Sequence, residues 1–157
     1  MSLVMNSSRC PECDATYTVA GDCCAARFET LLALDHSRQE PWGSRHGQAF
    51  AAFALQHPVT HVASLDRAWV VLHRIYVVGT PPPQVFGALV AARGALPPIW
   101  GVPLRPAQPV GAPAVTIADL GDFAAPSYVE RLDAWCRAAL AAWGAPAPAD
   151  GLTNRRS

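Results

Sequence analysis

The residues of this chain best suited to chemistry are five cysteines and five histidines. Cys10-Pro-Glu-Cys13 is a C-x-x-C pattern, and a tight turn of this kind places two thiolates within reach of one tetrahedral ion. A second pair, Cys23-Cys24, follows after nine intervening residues. Because adjacent side chains point in different directions, one of these two is expected to coordinate. The spacing predicts a zinc-binding knuckle closed by three thiolates.

Two other interpretations of the cysteines stay open, namely free surface thiols and a thioredoxin-like redox motif. A redox C-x-x-C should lie where a strand meets a helix in a βαβ unit. No strand pattern precedes Cys10. The odd number of cysteines, four of them crowded near the N-terminus, favours metal binding over a disulfide framework.

A fourth ligand is needed to complete a tetrahedral site. His46 and His57 are eleven residues apart, and on one continuous helix they would lie roughly 16 Å apart along the axis, too far to share an ion. Pro58 also prevents His57 and His61 from acting as a helical ligand pair. His46, near the start of the second predicted helix, can lie beside the knuckle. The sequence therefore favours His46 as the fourth ligand, ahead of His57.

His57 and His73 fall on or near apolar faces of the second and third predicted helices. One interpretation makes each a neutral, hydrogen-bonded core histidine. The other makes them a second site, with the imidazoles as metal ligands or as a proton-transferring pair. His57 and His73 are therefore the candidate catalytic residues, although no carboxylate nearby in the sequence offers a third metal ligand.

Helical spacing of apolar residues predicts a mainly α fold of about five helices around one core. Ser64 or Thr60 is expected to cap the third helix, and the Ser127-x-x-Glu130 capping box to start the last one. Only short extended pieces are expected besides, near 97–104 and 113–117. The predicted helices cover 24–36, 45–57, 62–78, a shorter segment from the Pro81–Pro83 run to Ala92, and about 127–143.

The length of 157 residues predicts a single domain over 1–157. It divides into the Cys-rich metal knuckle at 9–24, a helical body at 25–144 and a frayed tail at 145–157. A proline-rich crossing over about 96–113 can form neither a helix nor an inner strand.

The apolar stripe of the last helix consists of Val129, Leu132, Cys136, Leu140 and Trp143. Cys136 within this stripe is expected to be an inert packing residue.

Charge and motifs limit the function classes. Twelve basic residues, all arginine, balance twelve acidic ones, whereas a protein that binds nucleic acid through phosphates normally has a basic excess. The N-terminus lacks the pattern of a secretory signal, and no apolar run reaches the length of a membrane span, so we expect a cytoplasmic protein. The expected partner is an unknown small molecule or protein, with no nucleic acid and no membrane.

The pattern of Cys10-Pro-x-Cys13, Cys24 with Phe28, His46, and Gln56-His57-Pro58 resembles a bacterial family catalogued as domain of unknown function 5946. The resemblance covers about 9–144. It implies that Cys24 rather than Cys23 is the third thiolate, and that positions 46, 57 and 73 are usually histidine. The family has no established activity.

This chain departs from the family pattern at three positions. Ala51 and Phe53 stand where the family carries an acid and a tyrosine, and Ile99 stands where a histidine is common. If His57 and His73 form a second site in relatives, this chain holds a reduced version of it.

We therefore expect a small zinc-binding helical protein whose metal is mainly structural, ligated by Cys10, Cys13, Cys24 and His46. Such a protein would act as an accessory or interaction protein. The alternative is a metalloenzyme with a second metal or proton-transfer site at His57 and His73.

Overall fold

The structure is a computed structural model that describes residues 7–93 and 101–146. Within them the chain forms five α-helices and one short antiparallel hairpin, in which Ser8 pairs with Tyr17 and Arg9 with Thr16. The predicted mainly α fold is confirmed. In chain order the elements are β1 (Ser8–Arg9), β2 (Thr16–Tyr17), α1 (Cys24–His36), α2 (His46–Gln56), α3 (Leu65–His73), α4 (Pro82–Ala91) and α5 (Ala125–Ala142).

The first two helices begin and end close to their predicted limits. Cys23 is extended and caps α1, since its sulfur accepts a hydrogen bond from the backbone N–H of Ala26 at 3.4 Å. α2 ends at Gln56 because Pro58 disfavours helical geometry in the residue before it. His57 accordingly leaves the helix with φ −128° and ψ 62°.

The third predicted helix, over 62–78, has the expected limits but consists of three types of helix in succession. A 3₁₀ turn at Val62–Ser64 leads into α3, and a π-helical segment follows at Arg74–Val78. The predicted side-chain cap is wrong, because the Ser64 side chain makes no capping hydrogen bond and the Thr60 hydroxyl donates to Glu12 instead.

The predicted capping box of the last helix is also wrong. α5 begins at Ala125 with Pro126 in its first turn, so Ser127 already lies inside the helix. A capping box does form in the preceding 3₁₀ turn, between Thr116 and Asp119. The predicted apolar stripe is otherwise buried, apart from a half-buried Val129.

The irregular segments agree only in part with the predictions. Residues 10–24 were expected to hold no regular element, yet they contain β2. No β-strand forms within 101–104 or 113–117, although Thr116 is extended with φ −124° and ψ 174°, and 97–100 lie outside the described residues. The described part of the proline-rich crossing, 101–113, is irregular as predicted. Most of the predicted frayed tail, 147–157, lies outside the described residues as well.

Tryptophans of α5 hold the C-terminal end of α2 in the core. Trp135 Nε1 donates to Gln56 Oε1 and Trp143 Nε1 donates to the Leu55 carbonyl, both at 2.8 Å. The Gln56 amide also donates to the Val115 carbonyl at 2.7 Å. Both hydrogen-bonding groups of this buried amide are thereby satisfied, as buried polar groups require. These hydrogen bonds therefore also fix the position of the backbone at the next residue, His57.

No helix in the described ranges combines the length and the apolar character that crossing a membrane would require.

Two helical glycines make a matched stability test. A Cβ on Gly87 would meet nothing within 4 Å, whereas a Cβ on Gly47 would lie 2.3 Å from the ring of Phe86. Gly87→Ala should raise the free energy of unfolding by about 0.5–1 kcal/mol, because alanine loses less backbone entropy. Gly47→Ala must displace the Phe86 ring and should be less stable than Gly87→Ala by about 1–3 kcal/mol. Urea unfolding of both variants measures the difference, and equal gains in both would contradict the packing described.

Candidate metal centre

One cluster in the structure could hold a metal ion, and its four ligand atoms all lie within 4.8 Å of one another. They belong to Cys10, Cys13, Cys24 and His57. The Cys10 Sγ–His57 Nε2 distance is 3.6 Å, and the Cys13 Sγ–Cys24 Sγ distance is 3.5 Å. In a tetrahedral zinc site the sulfur–sulfur and sulfur–nitrogen separations are roughly 3.8 and 3.5 Å, given the usual bond lengths. The spacing of the four donors is thus close to that of a site for one metal ion.

A tight backbone turn positions the first two cysteines. The Asp14 N–H donates to the Cys10 carbonyl at 3.0 Å, and the Cys10 N–H donates to the Ala15 carbonyl at 2.8 Å. Asp14 takes a left-handed conformation with φ 66°, which aspartate tolerates better than most residues. Cys24 approaches this turn from the first residue of α1.

His57 is oriented by the helix that it follows. Its Nδ1 lies 2.8 Å from the Phe53 carbonyl oxygen, which assigns the ring proton to Nδ1 as the donor of that hydrogen bond. Nε2 is then the free nitrogen, and it faces Cys10. The Phe53 ring stacks on the imidazole with 4.1 Å between centroids. A backbone carbonyl that fixes the histidine tautomer in this way is a common feature of metal sites.

Hydrogen bonding within the cluster favours charged groups. The hydrogen bond from Cys13 lowers the pKa of the Cys24 thiol to about 4, and those with His57 and Tyr17 add to this against the opposing effect of burial. The hydrogen bond with Cys24, together with burial, raises the pKa of the Cys13 thiol. Burial alone would lower the pKa of His57, but its hydrogen bonds with Cys24 and Phe53 outweigh that effect and raise it. The cluster therefore favours a thiolate, the form in which cysteine binds metals.

Glu12, between the two cysteines of the turn, ties the knuckle to the segment after His57. Its Oε1 accepts from the backbone N–H groups of Val59 and Thr60 at 2.7 and 3.2 Å, and its Oε2 accepts from the Thr60 hydroxyl at 2.6 Å. Glu12 was not predicted from the sequence, because the residues inside a C-x-x-C vary freely in type. Its role depends on a segment nearly fifty residues away.

The structure places His57, and not the favoured His46, with the three cysteines. His46 lies at the opposite end of α2, where its Nδ1 is 3.0 Å from Oδ2 of the buried Asp35. The two histidines are thus kept apart by the length of one helix, as their spacing in the sequence requires. The expectation for His46 was wrong about which end of α2 meets the knuckle.

The other candidate residues lie outside the cluster. His73 is buried on α3 with its ring 5.3 Å from that of Trp69, and neither ring nitrogen has a hydrogen-bond partner in the described chain. Cys23 is exposed at the start of α1. Cys136 is fully buried in α5, where burial raises the pKa of its thiol to about 12 and so makes it unreactive.

The model of a family described as "Family of unknown function (DUF5946)" matches residues 8–144. No curated protein and no solved structure matches the chain.

The Glu12 contacts generate a stability prediction. Glu12→Gln replaces one accepting carboxylate oxygen with an amide that cannot accept, so it should lower the free energy of unfolding by about 1 kcal/mol. Glu29→Gln is the matched control, because Glu29 is exposed on α1 and makes no hydrogen bond or ion pair within the described chain. Urea unfolding at neutral pH compares the two variants. A loss of stability no larger in Glu12→Gln than in Glu29→Gln would show that the Glu12 contacts do not hold the knuckle.

Proposed function

The chain belongs to the DUF5946 family, whose function is unknown, and from the geometry of its own residues we propose that it is a structural zinc protein. The proposed ligands are Cys10, Cys13, Cys24 and His57. The observation that carries the proposal is the meeting of four metal-binding atoms within 4.8 Å of one another, three from residues 10–24 and one from the end of α2.

The donor set supports zinc over other metals. Three thiolates and one imidazole form a Cys₃His set, which is one of the standard combinations in structural zinc sites. Calcium and magnesium prefer oxygen ligands, and none of the four donors is an oxygen. Because four protein ligands fill a tetrahedral shell, the site leaves no position for a substrate or a water molecule. This favours a structural role over a catalytic one.

The zinc would fasten the N-terminal knuckle to the helical body. Each strand of the hairpin has two residues, and an isolated hairpin is marginal in water even when it is longer. His57 belongs to the body, whereas Cys10 and Cys13 belong to the knuckle, so one ion would join both. Binding of structural zinc contributes on the order of 10 kcal/mol to folding in small zinc-dependent domains.

A closed metal site is consistent with an accessory or interaction protein whose partner is a small molecule or another protein. All five cysteines are free, which is consistent with the proposed cytoplasmic, reducing location. The metalloenzyme alternative has less support. His57 turns its free nitrogen toward Cys10, and His73 has no hydrogen bond to it in the described chain.

Metal analysis of histidine variants tests the ligand set. The purified protein should contain one zinc ion per chain. His57→Ala should lower zinc affinity at least tenfold in a chelator competition, because it removes one of four ligands. His46→Gln should retain the affinity of the wild type, since a glutamine amide can still donate to Asp35. Loss of zinc from His46→Gln alone would show that His46, and not His57, is the fourth ligand.

The adjacent cysteines offer a second matched pair. Cys24→Ser should weaken zinc binding strongly and change the visible spectrum of the cobalt-substituted protein, because a thiolate ligand is lost. Cys23→Ser should leave both unchanged, since Cys23 is an exposed cap residue that serine can replace as a helix cap. Equal effects of the two substitutions would contradict the proposed coordination.

A further inference from the structure

A cavity of about 420 Å³ borders the cluster on the side of Cys10, Cys24 and His57. Its volume lies within the usual range for small-molecule sites. The rings of Phe28 and Phe53 form much of its apolar wall, and Cys13 does not reach it. Two sulfurs of the proposed zinc site can thus be approached from this cavity.

The three sulfurs differ in what surrounds them. Cys13 is 1% exposed, and its sulfur lies 3.5 Å from that of Cys24. Cys24 is also buried, and its sulfur accepts a hydrogen bond from the Tyr17 hydroxyl at 3.0 Å. Such donors withdraw electron density from a thiolate and make it a weaker nucleophile.

Cys10 has neither form of protection. It is half-buried, it lines the cavity, and within the described chain its sulfur contacts a single hydrogen-bonding group, the Nε2 atom of His57 at 3.6 Å. That nitrogen would bind the metal in the proposed site, so no donor would remain on the Cys10 sulfur. Metal coordination keeps a thiol in the thiolate form, which is the nucleophilic one.

We propose that the metal-bound Cys10 thiolate is a nucleophile for a small, uncharged, apolar alkylating molecule that enters this cavity. The proposal rests on the zinc site proposed above. In the reaction the Cys10 sulfur attacks an electrophilic carbon and a carbon–sulfur bond forms. The bond from that carbon to its leaving group breaks, and the leaving group departs with the electron pair. No oxidant or reductant is required.

The electrostatics of the cavity disfavour an anionic molecule. One zinc ion with three thiolates and a neutral imidazole carries a net charge of −1, which repels anions. Of the charged side chains that line the cavity, Glu12 accepts from Thr60 and Arg9 pairs with Asp14 at 3.1 Å. Glu29, which makes no hydrogen bond or ion pair within the described chain, adds a further negative charge. The aromatic wall supplies the apolar contact for the substrate.

Alkylation would also change the zinc site. The product is an uncharged thioether, a poorer zinc ligand than a thiolate. Modification of Cys10 is therefore expected to loosen the ion and, with it, the attachment of the knuckle to the body. The reaction would couple a chemical signal to the conformation of the N-terminus.

The test uses the full chain loaded with zinc and carrying Cys23→Ser, which removes the exposed thiol outside the cluster. The protein is treated with limiting benzyl bromide or with iodoacetate, and the modified cysteine is identified by peptide mass spectrometry. Cys10 should react at least tenfold faster than Cys13 and Cys24. Relative to their rates with glutathione, benzyl bromide should be favoured over the anionic iodoacetate.

A variant that fills the cavity tests the role of its shape. Ala25 is exposed on α1 and lines the cavity, so Ala25→Phe should slow benzylation of Cys10 at least fivefold. Ala134→Phe, at an exposed position of α5 away from the cavity, is the control and should leave the rate unchanged. Zinc content is measured on every sample.

The outcomes separate the two proposals. If the chain binds zinc but Cys13 or Cys24 reacts first, or all three react together, the zinc site stands and the nucleophile proposal is overturned. The nucleophile proposal is likewise overturned if Ala25→Phe and Ala134→Phe react alike. If the chain binds no zinc, the proposed function fails, and the proposal for Cys10 fails with it.

Discussion

The position of His57 at the C-terminal end of α2 is the constraint on which the candidate site depends. Three local features set it: Pro58 ends the helix, the His57 Nδ1–H donates to the Phe53 carbonyl, and Trp135 donates to the side chain of Gln56 in the last turn. Because the last turn is buried and held by hydrogen bonds to α5 and to Val115, the free imidazole nitrogen has little freedom to move. The cysteines can only form a four-ligand cluster if the knuckle folds against this end of α2.

The knuckle itself brings little apolar surface to that contact. Its buried side chains besides the cysteines include Ala15 and Tyr17, and the Tyr17 hydroxyl is engaged by Cys24. Small units of this kind commonly need a metal or disulfides in place of a core. Glu12 provides a second attachment, next to the cluster and independent of any ion. The knuckle is thus joined to the body by polar contacts on adjacent sides of one turn.

The sequence predicted those parts of the structure that local spacing determines. The limits of α1 follow from helical periodicity, and the meeting of Cys10 and Cys13 with one cysteine of the second pair follows from a tight turn and the spacing. The choice of Cys24 over Cys23 followed from the family resemblance alone. The fourth member of the cluster did not follow, because nothing in the local pattern tells which end of α2 meets the knuckle. That choice is made by tertiary packing, through the bonds of Gln56 to α5 and to Val115. The capping box failed for a local reason, since Pro126 suits the first turn of a helix better than a position before it.

Two buried histidines, one on α3 and one at the end of α2, differ in what surrounds them. His57 and His73 are equally inaccessible to solvent, at 4% exposure each. At His73 burial lowers the pKa, and the ring packs against Trp69. At His57 hydrogen bonds with Cys24 and Phe53 reverse the effect of burial and raise the pKa. The same residue type in the same degree of burial is therefore a packing group on α3 and a partner of thiolates after α2, and the difference arises from the cysteines that face it.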